Sequence, residues 1–290
     1  MNIHQPHAIG MDLSSLRKDG FVTVSYPPLL RSRVCEAMQS WKSFCNLSEN
    51  EKTKLSGGDR IQDFGYMRRK DSGPRADNKE LFHVVRKRLP QLHAQADAMS
   101  DRRAAAFIDA VDVLLQESVP LIQTFAQRIE QEYGLKGFEA EVVGSQDNWT
   151  FRYLHYFPGV QPVLANAHAD RGGFTFHTWE DHDGGEYLSL NGTWMPWPVS
   201  DTKTIIFPSM GLQYRSKGEL KALWHRVVPN ETTAKVGRYS MVIFIDFKMD
   251  YRFDDSRYRI QDFQPGFNYQ TSAEEFTRLF VPANGKAQTD

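Results

Sequence analysis

The sequence predicts a mostly β chain with flanking helices, built on a sandwich or jelly-roll core, and three observations carry that expectation. From Glu139 onward, short runs rich in β-branched and aromatic residues alternate with turn signals. Before that point, Met99 to Gly134 keeps apolar residues at near-helical spacing. The chain is also long enough, at 290 residues, to bury one large core. A single domain is expected: residues 1–138 as a largely helical N-terminal part, 139–262 as the jelly-roll core, and 263–290 as a C-terminal helix and tail.

Taken in order, Gly20 to Val24 alternates as a short strand and is stopped by Pro27-Pro28. Leu30, Val34, Met38, Trp41 and Phe44 then mark a helix over 29–44. Glu49 to Arg60 reads as a polar loop, and Ile61 to Arg88 as charge clusters around short apolar pairs, with Arg68-Arg69-Lys70 a solvated face. In the long helix Ser100 is the expected N-cap and Gly134 the terminator, while Pro120 should kink or divide it. The strands expected beyond it are 141–143, 150–156, 173–177, 187–190, 202–207, 223–228 and 239–247. Asn191-Gly192 signals a hairpin, and Ser272 to Glu275 a capping box opening a short helix up to Phe280.

Composition excludes some classes of function. With a net charge of −1, bulk electrostatics give no reason to expect nucleic acid or an anionic membrane as partner. No window approaches a membrane span, and Met1 to Gly10 lacks a basic region followed by an apolar core, so a cytoplasmic location is expected. Cys35 and Cys45, ten apart in one helical segment, fit reduced thiols better than a disulfide framework.

The chemistry centres on His168-Ala169-Asp170 and on His225. In an extended strand, residues i and i+2 share a face, so His168 and Asp170 present an imidazole and a carboxylate side by side. A second imidazole from a neighbouring strand would complete the two-histidine, one-carboxylate facial triad of non-haem Fe(II) oxygenases. Two histidines and an aspartate also suit Zn²⁺. Further on, Arg238-Tyr239-Ser240 opens an apolar run, with Arg238 and Ser240 on one face. A buried arginine beside a hydroxyl is a fitting clamp for a carboxylate; the alternative is an ordinary surface ion pair.

With these residues in hand, the sequence resembles the 2-oxoglutarate/Fe(II)-dependent oxygenases of the isopenicillin N synthase-like type. The matching stretches run in order through most of the chain: Asp19 to Val22, Phe44 to Leu47 with Glu51-Lys52, Gly65-Tyr66, Lys79 to Phe82, Arg152 to Pro158, His168 to Thr175, Gly192 to Trp194, Leu212-Gln213, Leu220 to Ala222, His225 to Val228 and Arg238 to Ser240. The resemblance implies a double-stranded β-helix, cupin-like core. It implies His168, Asp170 and His225 as ligands of Fe(II), with Arg238 and Ser240 holding the far carboxylate of the cosubstrate 2-oxoglutarate. The implied reaction oxidises a small molecule with O2, releasing succinate and CO2, by hydroxylation or else by desaturation or cyclisation. The family often has a tyrosine just before the proline of the strand preceding the triad. Here Phe157 stands there and the tyrosine is Tyr156, the candidate cosubstrate contact. An Fe(II) oxidase of the same fold that does not use 2-oxoglutarate is one alternative, and a zinc hydrolase another. Tyr66, Phe82, Trp179 and Trp224 are candidate substrate walls because they neighbour the motifs. His177, His182 and Arg226 are read as core or surface residues.

Overall fold

The computed structural model describes residues 11–57, 64–70, 78–159, 163–248, 250–254 and 278–282. The N-terminal part runs α1 (Ser14–Lys18), β1 (Val22–Ser25), α2 (Pro28–Cys45), α3 (Glu49–Thr53), β2 (Gly65–Lys70), β3 (Asn78–Val85), α4 (Leu89–Asp97), α5 (Arg102–Tyr133) and α6 (Phe138–Gly144). The core follows as β4 (Thr150–Tyr156), β5 (Ala165–His168), β6 (Phe174–Glu180), β7 (Gly185–Leu188), β8 (Trp194–Pro196), β9 (Lys203–Pro208), α7 (Met210–Arg215), β10 (His225–Val227), α8 (Glu231–Val236) and β11 (Arg238–Ile245). A small pair, β12 (Tyr251–Phe253) and β13 (Phe280–Pro282), closes the described chain.

Two sheets form the jelly roll. The larger has the order β1-β9-β6-β11-β4-β3-β2, the smaller β5-β10-β7-β8. The main core lies between the large sheet and the helices, where Trp41 and Phe44 of α2 and Phe107 of α5 pack around Phe82 and Tyr153. The large sheet therefore buries both faces, one on helices and one on the site.

Several elements differ from the sequence reading. The long helix stays one piece through Pro120. Pro120 and Gln116, whose carbonyl loses its partner, are both exposed, so that carbonyl is open to solvent rather than buried unpaired. Its N-cap is Asp101, whose side chain accepts from the Arg103 amide, and Gly134 ends it at φ 64° in the left-handed region. Residues 141–143 are helical rather than extended. Glu139 and Glu141 favour the N-terminal end of α6, and Phe138 and Val142, four apart, bury one face. Glu49 begins a short helix capped by Ser48 instead of a loop.

The charge-rich segment before residue 88 forms a hairpin, β2–β3, that extends the large sheet, so the N-terminal part is not merely helical. Its alternation is hidden because polar residues sit on the buried face. Glu80 is almost fully buried and accepts from Lys52 Nζ (2.6 Å) and the Tyr66 hydroxyl (2.9 Å), with His155 Nδ1 at 2.7 Å. Burial would raise the Glu80 carboxyl, but the hydrogen bonds from His155 and Lys52 outweigh it and hold it at about 2. Its stabilising contribution is therefore complete above the ordinary carboxylate value and is lost as pH falls towards 2. Glu80→Gln should lower stability by about 3 kcal/mol at pH 7, because Lys52 is left buried without its counter-charge. It should also flatten the acid limb of the stability profile between pH 4.5 and 2, measured by urea unfolding. An unchanged acid limb would mean that Glu80 is not the titrating group.

The helix expected from Ser272 lies outside the described residues as far as position 277. Phe280, expected at its end, belongs instead to strand β13.

Candidate metal centre

His225 lies opposite His168 in the antiparallel pairing of β10 with β5. That register brings the two imidazoles together with centroids 4.3 Å apart. Strand β5 ends at His168, and Asp170 lies just beyond it, where its carbonyl accepts from the Met210 amide at 2.8 Å. The carboxylate reaches both rings: Oδ1 is 3.7 Å from His168 Nε2 and Oδ2 is 3.9 Å from His225 Nε2. The ligand atoms of all three residues lie within 4.8 Å of one another. Sheet register thus brings the three residues together.

The donor set fits a divalent metal by its own hydrogen bonding. His168 Nδ1 lies 2.6 Å from the Asn166 carbonyl and His225 Nδ1 3.1 Å from that of Leu223. Carbonyls only accept, so each Nδ1 carries the proton and each Nε2 offers a lone pair towards Asp170. Burial, reinforced by the nearby His225, lowers the His168 imidazole to about 4, which keeps it neutral and ligand-competent near pH 7. Burial works to raise the Asp170 carboxyl, but His225, His168 and the Thr175 hydroxyl together hold it below its usual range. Thr175 Oγ1 donates to Asp170 Oδ2 at 2.6 Å and lies 3.2 Å from Ser209 Oγ.

The sequence reading gives neither Thr175 nor Ser209 a role at the site, although the period-two alternation of β6 places Thr175 on the site face. Thr175→Val should weaken metal binding about 10- to 100-fold by freeing the carboxylate, as measured by calorimetric titration with Mn(II). Unchanged affinity would show that Asp170 is held without it.

The triad opens onto a cavity between the sheets, walled by Leu154, Tyr156, Phe207, Val227, Val242 and Phe244 and by the polar groups Lys79, Arg152, Arg238 and Ser240. Arg238, Ser240 and Tyr156 therefore all reach the triad's cavity. Arg238 is 1% exposed, so the surface ion pair is excluded. Its Nε donates to the His182 carbonyl at 3.0 Å, and its Nη2 bonds Glu180 Oε2.

Glu180 is a further residue of the site that alternation misplaces. Strand β6 carries a bulge, for the pairing steps from Met241↔Trp179 to Val242↔His177 and leaves Thr178 over. The extra residue flips the faces. Glu180 joins Thr175 and His177 on the site side, and Trp179 turns to the main core, where Lys42 Nζ sits 5.0 Å from its ring centroid. Glu180 Oε2 also receives His177 Nε2 at 2.9 Å and Trp197 Nε1 at 3.2 Å. Trp197 can approach because Gly185 has no side chain; a Cβ there would lie 1.8 Å from the indole.

The four expected substrate walls do not line this cavity. Tyr66 and Phe82 are in the main core, Trp224 is buried in a separate cluster with Ala169, Leu188 and Met210, and Trp179 faces away for the reason above. Trp224 immediately precedes His225, so strand alternation sends it to the opposite face. His182 contributes its carbonyl only, and Arg226 pairs with Glu186 at 2.6 Å.

Residues 148–247, which hold the triad, Arg238 and Ser240, match the 2OG-Fe(II) oxygenase superfamily. The resemblance expected from the motifs is borne out: residues 148–247 are similar to that superfamily, and the jelly-roll fold is shared with a solved 2OG-Fe(II) oxygenase family protein. The chain is 31% identical over 109 residues to the 2-oxoglutarate-dependent dioxygenase citB of Monascus ruber, a stretch covering 35% of this chain and 32% of that protein. It thus spans about a third of the length of the curated relative it matches. A 2OG-Fe(II) oxygenase family protein from Caulobacter crescentus is 26% identical, with TM-score 0.70 over 93% of this chain and 88% of the other. The Neurospora crassa T7H structure with alpha-KG and thymine shares the fold at TM-score 0.69, with 18% identity over 92% and 88% of the two chains. Among the described residues, no helix is long and apolar enough to cross a membrane.

Proposed function

We propose that this protein is an Fe(II)- and 2-oxoglutarate-dependent oxygenase that hydroxylates a small molecule. The observation that carries the reading is one cavity holding a His₂Asp donor set and, in the same wall, a buried arginine beside a serine. His168, Asp170 and His225 would hold the iron and leave three positions open. When bound, the iron with 2-oxoglutarate and O2 supplies the power to replace a C–H by a C–OH, with succinate and CO2 as co-products.

The chain's own residues do the rest. The Nε–Nη2 edge of Arg238 is held by the His182 carbonyl and Glu180, which leaves its Nη1 side to meet the far carboxylate of 2-oxoglutarate. The Ser240 hydroxyl adds a hydrogen bond from the same strand face. Leu154, Phe207, Val227, Val242 and Phe244 exclude water around the reacting centre. A zinc hydrolase would leave Arg238 and Ser240 without a role. The two free thiols, Cys35 and Cys45, support a cytoplasmic location.

The test is an anaerobic titration with Fe(II) and 2-oxoglutarate, followed by admission of O2. A weak visible charge-transfer band and then release of succinate are the expected results. A band-free complex that still consumes O2 would favour the oxidase that does not use 2-oxoglutarate.

A further inference from the structure

A buried arginine meant for an incoming carboxylate raises a problem before that carboxylate arrives, because an unpaired buried charge is strongly destabilising. The structure answers it with Glu180. This carboxylate is buried, bonds Arg238 Nη2, and collects His177 Nε2 and Trp197 Nε1 on the same oxygen. Burial alone would raise its carboxyl, but Arg238 and His177 hold it at about 2, so it is ionised whenever the protein is folded near neutrality. It reaches Arg238, behind the cavity wall, only because of the bulge at Thr178; a regular strand would turn it to the other face.

We propose that Glu180 is the resident counter-ion of the cosubstrate subsite: it neutralises Arg238 in the empty protein and thereby weakens the hold on the far carboxylate of 2-oxoglutarate. This rests on the cosubstrate reading given above. The geometry supports two consequences. The Nε–Nη2 edge of Arg238 is occupied by protein acceptors, so the ligand meets a guanidinium already fixed in orientation. The ligand also meets an Arg–Glu pair rather than a bare cation, so each binding event places a second carboxylate near the first. Glu180 is a positioning and affinity-setting residue, acting through Arg238.

Glu180→Gln separates charge from shape, since the amide oxygen still accepts from Nη2. The experiment is calorimetric titration of 2-oxoglutarate, and separately of 2-oxobutyrate, into wild type and E180Q loaded with Mn(II), under argon. 2-Oxobutyrate has the same 2-oxo acid head but lacks the far carboxylate. The expected result is binding of 2-oxoglutarate at least threefold tighter in E180Q, with 2-oxobutyrate unchanged. A merely structural role would move both ligands together. Equal or weaker binding of 2-oxoglutarate in E180Q would overturn the proposal while leaving the cosubstrate reading intact. Absence of 2-oxoglutarate binding to wild type would instead overturn that reading. If E180Q is too unstable to titrate, thermal unfolding gives the same comparison: 2-oxoglutarate should raise the Tm of E180Q by more than that of wild type, and an equal or smaller rise counts against Glu180.

Discussion

Asp170→Ala should abolish oxygenation and weaken divalent-metal binding by more than about a hundredfold, beyond the range found when only an outer partner of a ligand is lost. The carboxylate lies within 3.9 Å of both imidazole Nε2 atoms and is the triad's one anionic donor. Without it, two neutral imidazoles face a dication with no charge to balance it. His168→Ala and His225→Ala should likewise lose metal. His182→Ala should not, because His182 contributes only its backbone carbonyl to the site. Metal content after gel filtration and turnover at saturating Fe(II) are the measurements. Full metal occupancy with wild-type turnover in Asp170→Ala would remove it from the ligand set.

The site was legible in the sequence where function imposes local spacing. An H-x-D pair, a later histidine and an R-x-S pair are short-range patterns, and the fold then needed only the pairing of His225 with His168 to close the triad. What escaped was set by irregularity or by tertiary context. One extra residue in β6 reversed the facing of Trp179 and Glu180, and alternation cannot anticipate a bulge. The hairpin β2–β3 was hidden because Glu80 sits on its buried face as a member of an ion-pair network, where a sequence pattern expects an apolar residue. Tyr66 and Phe82 sat close to motifs in sequence, yet that strand pair turns them into the helix-facing core. Proximity along the chain says nothing about which face of a sheet a residue takes.

The second large effect is expected at Arg238, and Glu180 decides how it must be measured. Truncating Arg238 alone removes the cation from the proposed cosubstrate subsite but also strands Glu180 as a buried charge, at a cost of about 3–5 kcal/mol in stability. Loss of activity in Arg238→Ala would then be ambiguous between binding and folding. Comparing Glu180→Gln with Glu180→Gln/Arg238→Ala removes the orphan carboxylate from the comparison; the single variant still leaves Arg238 without its counter-ion, so the thermal stability of both is measured beside binding. Between those two, 2-oxoglutarate should lose its charge-assisted partner, worth about 3–5 kcal/mol, or two to three and a half decades in affinity. The expected outcome is at least a hundredfold rise in the dissociation constant for 2-oxoglutarate on the Mn(II)-loaded protein, with metal affinity intact since Arg238 is not a ligand. Arg238→Lys keeps the charge but loses the planar fork, and should fall between. Ser240→Ala removes one hydrogen bond to a charged group, about 1.5–3 kcal/mol, and should act in the same direction with smaller size. Unchanged 2-oxoglutarate binding in the double variant, with a weakened prime substrate, would assign Arg238 to the substrate and promote the oxidase that works without 2-oxoglutarate.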